Sequence, residues 1–401
     1  MQSANDQLDW RQETWSDIHQ AVQHEAFRVE IASKFLPLYG PMPEALTVTS
    51  DTIVVGPDEP FLLVDEAATY PLVEIWVDFT LTPQQVEDEM NLMTARTLAI
   101  RATNYLSLGK DSLIFQGQSV TPADPLFTEN RVRFRSGPAG PGLLNAPKTE
   151  EQVITIEALE AGQPAFRERT VAGVTEGYAR LQRKGHYGPY ALILHDVPYG
   201  DLFASLPGTL FMAIDRLRPL MNAGIYGTGT LSADATTFSG LLISLGGNSM
   251  DLAVGRDSLA TYLFEDDEGL YRFRIWERFA LRLRDPSAII QLWQRLGIAD
   301  IIADQLRGRK VDFAVERALF AMIANRACAP CSKLYCYEQW LREDVRIEGT
   351  ESLALHHLYR AMDILEAYKE EIENALYFRL ADLLHLDVEL IFYDTTSLHF
   401  E

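Results

Sequence analysis

The chain has 401 residues, more than most single domains, so two domains are expected. Hydrophobic residues make up 47% and charged residues 23%, an ordinary globular balance with enough apolar material for a sizeable core. The formal charge of -22 disfavours contact with phosphate backbones, and neither part of the chain escapes this: residues 1–290 carry 23 Lys+Arg against 38 Asp+Glu, residues 291–401 carry 12 against 19.

The N-terminal MQSANDQLDW is polar and acidic, without the basic and then apolar regions of a secretory signal. No stretch approaches the roughly 18 apolar residues of a membrane span, so a cytoplasmic protein is expected. Gln12 to Phe35 reads as an amphipathic helix, with Trp15, Ile18, Val22, Ala26 and Val29 recurring at spacings of three and four. Leu36-Pro37-Leu38-Tyr39-Gly40-Pro41 ends it, because two prolines and a glycine cannot continue a helix. Residues 44–80 look extended: Thr47 to Val55 is rich in β-branched residues and Leu72 to Leu81 alternates. Thr82-Pro83-Gln84-Gln85 is a capping box with proline in the first turn, opening a long helix towards Tyr105.

Residues 118–149 are rich in glycine and proline and lack a period, which predicts a long loop. A helix, the turn Gly185-His186-Tyr187-Gly188-Pro189 and a buried strand at Tyr190–His195 follow. A helical stretch near 209–221 and strands near 238–245 and 250–255 come next. Residues 259–284 predict a long hairpin: a strand at Leu259–Glu265, the acidic turn Asp266-Asp267-Glu268-Gly269, and a second strand. In that second strand Tyr271, Phe273, Ile275, Phe279, Leu281 and Leu283 share a face. Arg272, Arg274, Arg278, Arg282 and Arg284 share the other with Trp276, and Glu277 is the one charge on the apolar side. The arginines are expected to pair with acids. Beyond Ile290 the pattern turns helical, through LWQRLGIADIIADQLRGRK, FAVERALFAMIANRA and residues 351–385, before a short strand at Val388–Tyr393.

The order of helix, extended arm, strand, long helix, mixed central region and long hairpin resembles the phage-capsid (HK97-type) fold, an α+β architecture. PLVEIWVDFTLTPQQVED, GPYALIL at 188–194 and MDLAVGRDSLATYLFEDDEGLYRFRIWERFALRLRDPSAIIQL at 250–292 make it similar to the encapsulin branch, the linocin-like shell proteins. The resemblance covers roughly residues 8–293, which implies a shell domain over 1–292 and a separate segment over 293–401. It implies a structural rather than enzymatic subunit that self-assembles into an icosahedral nanocompartment around a cargo protein such as a ferritin-like protein or a peroxidase. It also implies that the acids pairing with the arginine stripe lie on neighbouring subunits. It assigns the end of the first helix to a cargo-docking groove. Here that stretch carries Ser33, Phe35, Pro37 and Leu38, where the family uses charged residues. By position it assigns Leu206, Pro207, Gly208 and Thr209 to a five-fold pore loop, and Trp276, Glu277 and Phe279 to a structural hairpin.

The tail resembles the DDE insertion-sequence transposases, through LWQRLGIADIIADQLRGRKVDFAVERALFAMIANR, YEQWL and LIFYDTTSLHFE. That resemblance makes Asp394 the first of several metal-binding carboxylates. The others do not follow it, so Asp394 is expected to be vestigial and the tail non-catalytic. The alternative is a transposase with an unusual N-terminal half, against which stand the missing carboxylates and the acidic charge. No cofactor or metal site is expected. Cys328, Cys331 and Cys336 lack a second CxxC or a finger-like HxxxH and read as helix-packing thiols. His195 beside Asp196, and His186 in its turn, have no G-x-S-x-G-like nucleophile to serve. Gly246-Gly247 and Gly224–Gly229 match no phosphate loop and read as turns.

Overall fold

A computed structural model describes residues 8, 10–54, 63–122, 124–135, 142–147, 149–159, 165–205, 211–234, 237–295, 313–328, 330–344, 347, 350 and 352–369. It divides into two compact units. The first comprises residues 1–156 and 167–294, the second residues 157–166 and 295–401.

In the first unit, helix α1 (Gln12–Val29) buries Trp15, Ile18, Val22 and Ala26. The expected single helix to Phe35 breaks at Glu30, whose ψ of 127° is extended. A four-residue helix α2 (Ala32–Phe35) follows the elbow. The short strand β1 (Leu38–Tyr39) leads to an arm of two antiparallel strands, β2 (Thr47–Val54) and β3 (Leu63–Pro71). Strand β4 (Val73–Leu81) alternates as its sequence does.

The capping box at Thr82 forms: Gln85 N donates to Thr82 Oγ1 at 3.3 Å and Thr82 N to Gln85 Oε1 at 2.9 Å. The predicted single helix is instead three pieces, α3 (Pro83–Glu87), α4 (Glu89–Leu92) and α5 (Thr94–Gln116). Met93 separates the last two with a left-handed φ of 51°, and buried Glu89 caps α5 by accepting from the amides of Ala95 and Arg96 at 2.7 and 3.0 Å. The stretch predicted as a loop at 118–149 is more ordered than its composition implies. It holds α6 (Pro125–Thr128), strand β5 (Arg133–Arg135) and a turn that buries Leu143 and Leu144.

The chain continues through β6 (Val153–Glu157), α7 (Arg167–Arg183), β7 (Tyr190–His195), α8 (Asp196–Asp201), α9 (Ala213–Leu217), β8 (Gly224–Thr228) and β9 (Thr237–Ser244). Strand β10 (Met250–Glu265) then runs unbroken for 16 residues, where the sequence predicted two separate strands, and β11 (Tyr271–Leu283) returns antiparallel to it. Gly269, at φ 76°, sits in the connecting turn, a conformation that side-chain-bearing residues adopt rarely. One five-stranded sheet has the order β1-β10-β11-β4-β5. The other has the order β6-β12-β9-β7-β8, where β12 is Ile289–Arg295.

Strand β12 corrects the helical reading of LWQR. Ile289, Ile290, Leu292 and Gln294 are all fully buried. Burial alternates through Ile290, Leu292 and Gln294, but Gln294 is polar and Trp293 apolar, so the sequence pattern is too short and mixed to tell strand from helix.

The second unit has a small core of its own. Helices α10 (Val315–Cys328) and α12 (Leu355–Ala367) contribute Val315, Ala318, Leu319, Leu358 and Ala361. The short α11 (Lys333–Tyr335) leads into a wide helical turn at Cys336–Asp344 that adds Cys336 and Trp340. The predicted strand at 388–393 and all of LGIADIIADQLRGRK lie outside the described residues.

Candidate functional site

The elbow between α1 and α2 rests on charged groups taken out of water. Lys110, from α5, donates to Glu30 Oε2 and to Glu277 Oε2, both at 2.9 Å, and all three side chains are almost wholly buried. Ser33 Oγ donates to the same Glu30 oxygen at 2.5 Å and Ser258 Oγ to Glu277 Oε2 at 3.3 Å. Next to Lys110, Asp111 caps α2 from across the core, accepting from the amides of Ile31 and Ala32 at 2.8 and 3.0 Å.

Burial pushes the Glu277 carboxyl up to about 8 against the pull of Lys110. Burial likewise pushes Asp111 up to about 7, against the two amides it accepts from. For Lys110 burial acts to lower its pKa, but the Glu277 and Glu30 carboxylates outweigh that and hold it well above the ordinary range. Glu277 Oε1 has no hydrogen-bond partner among the described residues, a costly position for a charged oxygen.

The groove residues named from sequence divide by depth. Ser33 is half-buried and tied to Glu30. Phe35 points inward, 7% exposed, against Phe115 and Tyr226 at ring distances of 6.4 and 5.7 Å, so it supports the surface from beneath. Leu38 is 61% exposed while its backbone pairs in parallel with Leu252 of β10. Pro37 is exposed beside it. Sequence reasoning missed Phe27, 77% exposed on α1, and Tyr39, 47% exposed with the Arg282 guanidinium 3.8 Å over its ring. Phe27 leaves a trace in the sequence, since a large aromatic interrupts the polar face of an otherwise regular amphipathic helix.

The hairpin is a buried spine. Phe273 stacks with Trp10 and Phe79 at 5.4 and 5.3 Å, and Trp10 Nε1 donates to Val86 O at 2.9 Å, fastening the chain before α1 to this face. Trp276 is half-buried and its Nε1 donates to Thr261 at 3.0 Å; Phe279 is buried with the Lys110 ammonium 5.6 Å from its ring.

Within the chain, the arginine stripe already finds acids to pair with. Arg274 forks onto Asp78 at 2.7 and 3.0 Å, and Arg278 reaches Glu74 at 2.9 Å. Arg282 forks onto Asp251 at 2.6 Å twice, Arg284 joins it at 2.8 Å, and Arg272 bonds Asp266 at 3.0 Å. The acids sit on the adjacent strands β4 and β10 or in the turn, so cross-strand register supplies the partners.

Among the described residues, no hydrolytic arrangement emerges from the histidines. His186 Nε2 lies 2.7 Å from Ser287 Oγ, but that hydroxyl also lies 2.5 Å from Asp285 Oδ1, so the acid holds the serine instead of orienting the histidine. His195 bonds Asp196 at 2.5 Å, and burial lowers its pKa against that neighbour's pull. In the second unit Cys336 is buried and its thiol is pushed up to about 11, first by burial and then by Cys331, which donates to Asn325 at 3.1 Å. Such a thiol is a poor metal ligand or nucleophile. Among the described residues no three His, Cys, Asp or Glu side chains converge as a metal site. Leu206 to Thr209 and Asp394 lie outside the described residues. No helix among the described residues is long and apolar enough to cross a membrane.

Residues 127–280 match the family described as "Encapsulating protein for peroxidase". Over 295 residues the chain is 26% identical to the type 1 encapsulin shell protein of Myxococcus xanthus, spanning 70% of this chain and 93% of the relative. These matches support the encapsulin shell family. A second encapsulin relative, a diheme-cytochrome–encapsulin shell fusion protein of Kuenenia stuttgartiensis, is 26% identical over 298 residues, 71% of this chain and 74% of its own. The virus-like particle from Pyrococcus furiosus superposes with a TM-score of 0.51 at 17% identity, over 70% of this chain and 99% of that one. The fold is therefore the HK97-type capsid fold, and shell proteins of the encapsulin family are structural rather than catalytic. None of these findings supports the transposase resemblance of the tail.

Proposed function

We propose that this chain is a structural subunit that closes with copies of itself into an icosahedral, cytoplasmic nanocompartment enclosing a cargo enzyme, a ferritin-like protein or a peroxidase. The observation that carries the reading is the encapsulin match over the region that ends in the β10–β11 spine. The geometry suits such work. A long, internally ion-paired hairpin gives a stiff plate. The β2–β3 arm is joined to that plate by Ile53 N to Arg284 O at 2.8 Å and Arg282 Nη1 to Thr49 O at 3.4 Å, and is proposed to lap onto a neighbouring subunit. The surface around Ser33 and Leu38, with Phe27 and Tyr39, is the proposed cargo groove, and Leu206 to Thr209 the proposed pore loop. The tail beyond β12 is proposed to be a non-catalytic transposase fragment carried as an appendage; that reading rests on its sequence alone, and its expected start at 293 moves because residues 293–295 complete β12.

Size-exclusion chromatography with negative-stain microscopy on the full-length protein tests the assembly. Closed particles of uniform diameter are expected. A protein that stays monomeric across a wide concentration range overturns the reading.

A further inference from the structure

The buried node under the α1–α2 elbow is asymmetric in charge. One ammonium, Lys110, serves two carboxylates, Glu30 and Glu277, so with every group ionised the node holds a net negative charge out of water. The titratable groups facing it are Glu30 from the elbow, Lys110 and Asp111 from α5, and Glu277 from β11; β10 adds the Ser258 hydroxyl and α2 the Ser33 hydroxyl. The orphaned Glu277 Oε1 is where a proton relieves the excess charge while Oε2 goes on accepting from Lys110. The polar contacts that tie the elbow to α5 pass through this node and through Asp111 beside it, and Ser33 hangs directly on Glu30.

We propose that Glu30, Lys110 and Glu277 form a proton-operated latch that holds the α1–α2 elbow on the subunit while one carboxylate keeps its proton and loosens it once both are charged. The step is a deprotonation of Glu277 into solvent, with no other bond broken. Its product is a buried node with one carboxylate too many, which the chain relieves by lifting the elbow and admitting water. The latch rests on these contacts. Its consequence, a cargo groove whose shape follows pH, rests on the groove assignment proposed above.

The test is hydrogen–deuterium exchange on the full-length protein, reading peptides from residues 12–35 and correcting for the intrinsic pH dependence of exchange. In the native protein, corrected exchange there is expected to rise about ten-fold between about pH 6.5 and about pH 9, while the buried strand Tyr190–Leu194 stays protected. In Glu277→Gln, which cannot ionise, the rise is expected to vanish. A flat native profile, an equal rise in Glu277→Gln, or a rise shared by Tyr190–Leu194 each overturns the latch. If Glu277→Gln does not fold, the infrared carbonyl band of a protonated carboxylic acid decides, read in Asp111→Asn so that the neighbouring buried carboxyl does not contribute: its loss over the same pH range supports the latch, and its absence at pH 6.5 overturns it. Exchange is read on the subunit whether or not particles form, so the latch and the shell reading fail separately.

Discussion

Asp251 and Arg282 face each other across β10 and β11, joined by two parallel hydrogen bonds of 2.6 Å, with Arg282 also stacked on Tyr39. The planar fork matches the carboxylate in a way a lysine ammonium does not. Both side chains are largely buried, so removing one leaves the other charged in a poor environment. Arg282→Ala is expected to cost about 3 kcal/mol in urea unfolding, and Arg282→Lys to recover less than half of it. The double variant Asp251→Leu with Arg282→Met is expected to be more stable than either single charge removal. A double variant no better than the singles would mean that the fork contributes little as a pair.

Removing Lys110 is expected to be worse, because two buried carboxylates then lose their one cation. Lys110→Met should lose about 3–5 kcal/mol at pH 8.5 and clearly less at pH 6. The sign follows from proton binding. Glu277 and Asp111 are raised from their usual 4.5 and 3.8 to about 8 and about 7, so over those intervals the folded state binds more protons than the unfolded one. Stability from these groups is present at low pH and falls as pH rises through that window. Without Lys110 both carboxyls rise further and the slope steepens. Urea unfolding at the two pH values checks this, and a loss that is larger at pH 6 would contradict it.

The stretch after α5 offers a sharper steric test. A Cβ on Gly142 would lie 2.1 Å from Gly117 N and 2.4 Å from Gln116 C, contacts with backbone that cannot move aside. Asn145 clamps the same place by donating to Gln116 O at 2.7 Å. Gly142→Ala is expected to abolish soluble protein at 37 °C, whereas Gly200→Ala, with open space around its Cβ, should express normally. Equal soluble yields for the two would show that this turn is not held where the structure puts it.

What could be read from the sequence was local. The Thr82 box, the β7 strand and the hairpin turn each carry their own pattern within a few residues, and each forms. The arginine stripe fixed which face the charges share, but a pattern along one strand does not say who stands opposite, and their partners lie up to 204 residues away. Glu277 stood out as a charge on an apolar face, yet Lys110, 167 residues earlier, sits within an ordinary-looking helical stretch and gave no signal. The kink at Met93 has neither glycine nor proline to announce it. Its cause is the Glu89 carboxylate capping the next helix, a contact that exists only once the chain has folded back.

Strand β12 decides where a tail-free version of the protein must end. Ending the chain at Leu292, as the shell resemblance implies, cuts this strand between its neighbours β6 and β9. It would discard Gln294, fully buried, whose Nε2 donates to Thr170 Oγ1 at 2.9 Å. Half a strand leaves unpaired backbone groups on β6 and β9, each an exposed edge inviting aggregation. A chain ending at Arg295 is expected to be soluble and to assemble as the full-length protein does. One ending at Ala288 is expected to be insoluble, since it loses the whole apolar run Ile289 to Leu292. The chain ending at Leu292 should fall between them, with a lower thermal midpoint than the one ending at Arg295. Sedimentation and thermal unfolding of the three side by side measure this. If the Ala288 version is as soluble and as stable as the Arg295 version, β12 is not a structural member of that sheet.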